Sequence, residues 1–308
     1  MRWEEDKNNP IVDGDSLFGK GFRTEDSKIA KAGDNYYLAT ASGKDRKRMD
    51  IYLLKANSLS GPWQKVLDKP IISRGNFYDF DYRYLRLGGI TFYDGTWYLY
   101  YSGQNLLRED AVGLATTLEK DFPLGWKKYK GNPILKRTGN DWESQSLLTL
   151  CLKRIGPPRK EWYGHYTAKG KDKRYHLGIC YGSSPDGPFT RYVDNPILAP
   201  GKKEEWDFGG PARADFIKTP NKIYGVYESA GKQPFQIGGY WGDSIFGPFT
   251  KIFSDKPFLS GSEIGLQYAN PCLWYEEGKI YLLAARKSIN YREKPYWRYV
   301  DLFSLTLE

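Results

Sequence analysis

Carboxylates and arginines stand at corresponding places along this chain: Glu25 and Asp26, then Asp79, Asp81, Arg83 and Arg86, then Glu143, Asp207, Arg213 and Glu263. Most lie just ahead of a short apolar run that passes through a turn into an aromatic strand. Such a set suits proton transfer. Of two carboxyl groups, one can stay protonated near neutral pH if burial or a like charge raises its pKa, while the other stays ionised. Arginine adds a planar fork of donors that holds carboxylate or hydroxyl groups. His165 and His176 have no spaced partner, so no catalytic zinc site is expected and no metal ligands are assigned.

Elements that could bring these residues together follow from a repeat. "NPI" at 9–11, "KPI" at 69–71, "NPI" at 132–134, "NPI" at 195–197 and "KPF" at 256–258 are spaced by 60, 63, 63 and 61 residues. Six or seven residues before each copy stands an aromatic: Trp3, Trp63, Trp126, Phe189 and Phe249. Two linked signals at one period identify a repeat protein. Each unit carries an aromatic run such as "GDNYYLAT" or "YDGTWYLYYSG", an apolar run before it, a further strand after it and the Pro-containing segment. Gly, Pro, Asn and Asp mark the turns, and no stretch keeps a 3.6-residue apolar period. Four short strands per unit, repeated five times, predict an all-β fold: a five-bladed β-propeller with four-stranded antiparallel blades, one domain over residues 1–308. The N-terminal copy is expected to close the ring as the outer strand of the last blade, which leaves no long open edge.

The aromatic strand serves as a ruler for the inner ends of the blades. Eleven residues before Tyr37, Tyr98, Tyr224 and Tyr281 lie Asp26, Leu87, Arg213 and Asn270; an insertion around Pro157 and Pro158 defeats the ruler in the third unit. The carboxylates and arginines named above cluster at or just upstream of these positions, so they are expected to meet at one mouth of the axis.

Bulk composition fits a globular chain: 40% hydrophobic, 27% charged, with 25 Tyr, 15 Phe and 10 Trp. The aromatics are expected mainly in the blade cores, with a few rings free to stack on a ligand. No run approaches the length of a membrane helix. The net charge of +9 concentrates in "KDRKR" (44–48) and "KGKDKR" (169–174), short interrupted runs read as solvated loops. Nucleic-acid binding is not expected, because these runs fall in separate blades and interleave with no recognisable module. Cys151, Cys180 and Cys272 sit in apolar settings and read as buried free thiols. The N-terminus "MRWEEDKNNP" has no apolar signal region, which points to the cytoplasm unless a leader has been removed. Nothing in the sequence sets an oligomeric state.

This layout resembles the five-bladed propeller glycoside hydrolases, the superfamily of families 43, 62, 32, 68, 117 and 130. "EDSKIAKAGDNYYL" (25–38) is similar to the first-blade pattern of Asp-Pro, an apolar run and a Gly-x-Tyr-Tyr-Leu strand, with Ser27 in place of the proline. "DWESQSLLTL" (141–150) resembles the acid motif Trp-Glu-Cys-Pro without its Cys-Pro pair. "RLG" (86–88) matches the Arg-Asp-Pro motif only in its arginine, and Asn270 in "NPCLWYEEGKIYL" replaces an aspartate. The resemblance implies a glycosidase acting on a carbohydrate. Asp26 would be base or nucleophile and Glu143 the general acid, with Asp81, or less readily Asp79, tuning the acid. Glu25, Asp79, Arg83, Arg86, Asp207, Arg213 and Glu263 would bind substrate. The chemistry requires no cofactor, and an axial metal ion such as calcium is compatible with the resemblance.

Each role has a rival. Asp26 can be a turn residue at a strand start. Glu143 can be the third-blade version of "EWDF" (205–208), a repeated Trp-acid turn that packs the blades. Asp81 can belong to a loop salt-bridge network, and Arg213 can pair with Asp215. The missing second-blade aspartate leaves open a non-catalytic carbohydrate-binding propeller. A family-130-like glycoside phosphorylase, with Arg83, Arg86 and Arg213 around phosphate, is the third alternative.

Overall fold

The computed structural model describes residues 2–45, 47–155, 162–229, 234–289 and 297–306. Five antiparallel sheets stand in a ring, in chain order, each with its first strand innermost. Blade one runs from the inner strand Arg23–Ala32 through Asn35–Gly43 and Asp50–Ala56 to Gln64–Lys65. The inner strands of blades two to five are Leu85–Tyr93, Ser146–Arg154, Pro211–Lys218 and Leu266–Glu276. Blade five is completed by Glu4–Glu5, which pairs with Tyr299–Thr306 at the registers Glu4↔Ser304 and Glu5↔Phe303. The ring therefore closes through the N-terminal segment, as the repeat predicts. The insertion at Pro157 and Pro158 lies outside the described residues.

Both faces of each blade are covered by its neighbours, so most strands are buried along nearly their whole length instead of alternating. Leu38, Leu54, Cys272, Leu283 and Leu302 join blades five and one in one cluster. Ile51, Leu53, Leu85 and Leu99 join blades one and two. Tyr100, Leu114, Leu150 and Trp162 join two and three. Ile217, Val226, Leu273 and Leu282 join four and five. Each such Leu or Ile, removed fully from water, contributes about 1.5–3 kcal/mol before conformational entropy is charged against it. Trp162, Tyr100, Tyr101, Tyr166, Tyr227 and Tyr240 are among the largest fully buried side chains, so the aromatic wealth is largely core. The three cysteines are buried and free, and burial pushes the Cys180 thiol up to about 12. The one α-helix among the described residues is the short segment Gly14–Phe18.

The "NPI" motif is structural. The Asn195 amide accepts from Ile179 N at 2.8 Å and donates to Ile179 O at 2.9 Å, standing in for a neighbouring strand at the sheet edge. Asn132 does the same to Leu114, and Asn9 to Leu302. Proline cannot donate to a ladder, so the amide before it supplies the hydrogen bonds that the main chain lacks there.

Candidate active site

Every inner strand carries a β-bulge near its start. The register slips between Glu25 and Ser27, Leu87 and Gly89, Leu147 and Thr149, Ala212 and Asp215, and Ala269 and Cys272. A bulge leaves its extra residue unpaired and turns that side chain off the strand's alternation. The unpaired positions include Asp26, Gly88, Leu148, Arg213 and Asn270; Asp26, Arg213 and Asn270 line one constriction, while Leu148 packs on Ala212 of blade four. The eleven-residue ruler lands on three of them and misses Gly88 by one.

Asp26, Arg213 and Asn270 hold left-handed backbone at φ 42°, 45° and 53°. Such a conformation costs a side-chain-bearing residue about 1–2 kcal/mol. Strain of this kind persists where the surroundings impose it, and it concentrates at functional sites. At Gly88 the strand runs so close to blade three that a Cβ would stand 2.1 Å from Leu150 O.

Around these bulges the charges interlock. Arg213 Nη1 donates to both oxygens of Glu228, at 2.7 and 2.8 Å, and Arg213 Nε stands 3.5 Å from Asp26 Oδ1. Glu228 Oε2 also accepts the backbone N–H of Asn270 at 3.0 Å, which ties blades four and five together at the axis. Glu25 is buried beside Asp26 and held by Arg23 Nη1 at 3.2 Å. Arg86 lies 4.5 Å over the Tyr84 ring, and Tyr84 donates its hydroxyl to Asp110. Burial holds the Asp26 carboxyl above its ordinary value; Arg213 and Arg86 pull it down, and Glu25 and Glu228 push it up.

Buried polar atoms normally have partners. Four here have none among the described residues: Asp26 Oδ2, Arg213 Nε, and both Oδ1 and Nδ2 of Asn270. Asp26, Lys28, Leu87, Thr149, Arg213 and Asn270 line a constriction in the axial channel, contributed by all five blades when Thr149 and Leu87 are counted. The arrangement offers one buried carboxyl held above its ordinary pKa, one acceptor and two donors at a single point.

Other expected site residues lie elsewhere. Glu143 is fully buried, but it accepts from Tyr166 Oη at 2.8 Å, Arg191 Nε at 3.0 Å and Thr138 N at 3.1 Å. Asp81 accepts from Tyr101 Oη at 3.0 Å and pairs with Lys128 at 2.6 Å. Asp207 accepts from Tyr227 Oη at 2.7 Å and from Lys251 at 2.7 Å. The three are one strut repeated in blades two, three and four: an acid ahead of the inner strand, a Tyr on the second strand and a cation on the outer one. Asn132 and Asn195 extend two of these struts by donating to Tyr101 and Tyr166. Glu143, Asp81 and Asp207, for which the sequence leads us to expect catalytic roles for the first two and a binding role for the third, do not line the constriction at Asp26. These contacts brace each blade and recur with the repeat, while Asp207 Oδ1 is buried with no partner among the described residues.

Asp79 is exposed and accepts from Asn76 N at 2.6 Å, and Glu263 is exposed in a 3-10 turn; neither lines the constriction at Asp26. Arg83 lies ahead of the blade-two inner strand, with its Nε buried and unpartnered among the described residues. Asp26, Glu25, Arg86 and Arg213 are brought together. Arg213 pairs with Glu228, not with Asp215, because the bulge separates the two side chains. Glu228 was not anticipated; it sits on a second strand in "VYES", where no motif marks it. Asn270 carries a sequence signal, the eleven-residue ruler, at the place where the resemblance has an aspartate.

A calcium ion at the axis does not fit these residues. The Arg213 guanidinium and the Lys28 ammonium stand beside Asp26 and Asp215, and among the described residues no group of three or more His, Cys, Asp or Glu converges as metal ligands.

No known family profile matches this sequence, and neither does any curated protein. Solved structures do match. A thermostable family-43 glycoside hydrolase superposes with a TM-score of 0.70 at 16% identity, over 96% of this chain and 94% of its own. A family 117 glycoside hydrolase produced by the marine bacterium Zobellia galactanivorans gives 0.69 at 14%, over 99% and 89%. An alpha-L-arabinofuranosidase from Lactobacillus brevis gives 0.68 at 11%, over 96% and 95%.

Proposed function

The fold is thus the five-bladed propeller found in glycoside hydrolases, and we propose that this chain hydrolyses a glycosidic bond of an oligo- or polysaccharide at the axial mouth where the inner strands begin. The observation that carries the reading is Asp26: buried, held in strained left-handed backbone, flanked by two arginines, with one carboxylate oxygen unpartnered among the described residues.

Glycosidic cleavage needs a carboxylic acid to protonate the leaving oxygen and a carboxylate to stabilise or attack the sugar centre. The raised pKa of Asp26 suits it to hold the proton, a role different from the base or nucleophile expected from the sequence. Glu25, adjoining in the same bulge, is the carboxylate that completes the pair in place of Glu143. Asn270 can both donate to and accept from sugar hydroxyls, and Arg86 can hold a hydroxyl at the rim. Glu228 is a positioning residue: it takes the Arg213 fork bidentately and so fixes the Nε that faces Asp26. Because that fork is occupied, the phosphate pocket of a phosphorylase is the less favoured reading.

The test is release of sugar from a panel of aryl glycosides and plant and microbial polysaccharides, with and without phosphate. Hydrolysis independent of phosphate, lost in Asp26→Asn, supports the proposal. Binding to a glycan array without any release would replace it with a non-catalytic module.

A further inference from the structure

Beyond the constriction, where the inner strands end, the axis opens into a cavity of about 440 Å³. It lies at the other end of the same strands from Asp26, with Phe92 and Tyr93 of blade two and Trp274 of blade five among its walls. Its charged lining is unbalanced: Lys28, Lys153 and Arg154 face one carboxylate, Asp215.

That carboxylate is already consumed. Asp215 Oδ2 accepts from Lys28 Nζ at 2.9 Å and Leu273 N at 3.2 Å; Oδ1 accepts from Cys151 Sγ at 2.8 Å and from Phe216 N at 2.7 Å. Lys28 is likewise accounted for, since it also donates to Pro271 O at 3.1 Å. Lys153 reaches Asp215 only at 3.4 Å, and its side chain is one-third exposed. Arg154 lies 4.4 Å over the Tyr93 ring and has no carboxylate partner among the described residues. Three cations therefore share one carboxylate at a cavity with aromatic walls, and Arg154 has no carboxylate partner among the described residues. Charge left uncompensated in a concave, partly apolar site draws an anion, and the volume is in the range of small-molecule sites.

We propose that this cavity is a second binding site, separate from that around Asp26, for a small molecule that carries an oxyanion on a body with an apolar face, such as an acidic sugar. Lys153 and Arg154 hold the oxyanion, and the walls at Phe92 and Trp274 take the ring. Lys28 and Asp215 form the closed floor and do not exchange partners.

Isothermal titration of the full chain tests this with four probes: galacturonate, glucose 6-phosphate, inorganic phosphate and neutral galactose. Saturable binding of galacturonate or glucose 6-phosphate is expected, with galactose at least about tenfold weaker. The two acids separate a carboxylate from a phosphate, and inorganic phosphate reports whether the ring contributes. Lys153→Ala and Arg154→Ala should each weaken the acid by about tenfold or more, and Asp26→Asn should leave its affinity unchanged whether or not the chain is a hydrolase. Three results overturn the proposal: no saturation by either acid up to about 10 mM, galactose binding as tightly as the acids, or affinity unaltered in both cation variants. The first two need no variant, so they stand even if a substitution fails to fold.

Discussion

Replacing Glu143 by glutamine separates the two readings of that residue. A general acid would lose turnover and keep its fold; a strut would lose stability and keep turnover per folded molecule. Glu143 is fully buried, and its two oxygens meet donors from Tyr166, Arg191 and Thr138. Glutamine keeps one acceptor oxygen but turns an N–H₂ toward groups that are themselves donors. Tyr166 can rotate its hydroxyl to accept; Arg191 cannot. A hydrogen bond to a charged group is worth about 1.5–3 kcal/mol, and an unsatisfied buried donor costs about 1–3 kcal/mol. Arg191 is a quarter exposed, so water recovers part of its loss. The expected net destabilisation is about 2–3 kcal/mol, seen as a lower urea midpoint at unchanged slope. Urea unfolding followed by Trp fluorescence measures this, and turnover is measured in the same preparation far below the midpoint. A wild-type midpoint with turnover abolished would refute the strut and restore Glu143 as the acid.

Three further outcomes follow from the same physics. Asp26 has a folded pKa above its ordinary value of 3.8, so its contribution to stability is fully present below that value and is lost as pH rises through the folded pKa. Asp26→Asn should therefore be more stable than the wild type at neutral pH, with the gain fading toward pH 3.8, as melting curves across pH would show. Asp301, buried on the third strand of blade five beside Arg286 at 3.0 Å, is pushed up to about 6 by burial, against Arg286 and with help from Glu5 of the closing strand. Its sign is the same, so stability should fall between pH 3.8 and about 6, and Asp301→Asn should flatten that part of the profile. Asn195→Ala removes an amide that satisfies both backbone groups of Ile179 and should cost about 1–3 kcal/mol in the urea midpoint, with turnover unchanged.

The fold was legible because its information is periodic. An aromatic followed by a Pro-apolar pair recurs in every blade, and in the three copies with Asn the amide clamps Leu302, Leu114 and Ile179. Periodicity says less about the site. Asp81, Glu143 and Asp207 each stand ahead of an inner strand, as catalytic residues of a repeat fold also do, and each meets a Tyr and a cation of its own blade instead of the residues around Asp26. Asp26 was found because its distance to Tyr37 is fixed within one hairpin. Glu228 was not, because its role depends on a contact with Asn270 that crosses from one blade to the next. Arg213 and Asp215 share a face in any regular strand; the bulge between Ala212 and Asp215 sends one to Glu228 and the other to Lys28.

The central claim is that Asp26 carries glycosidic hydrolysis at the axis. The most direct test is reducing-sugar release by wild type and Asp26→Asn, at matched folded concentration, on whichever saccharide of the panel the wild type degrades. A loss of about 10²–10⁴-fold in turnover, with the fold intact, is the predicted result. Release undiminished in Asp26→Asn would contradict the account.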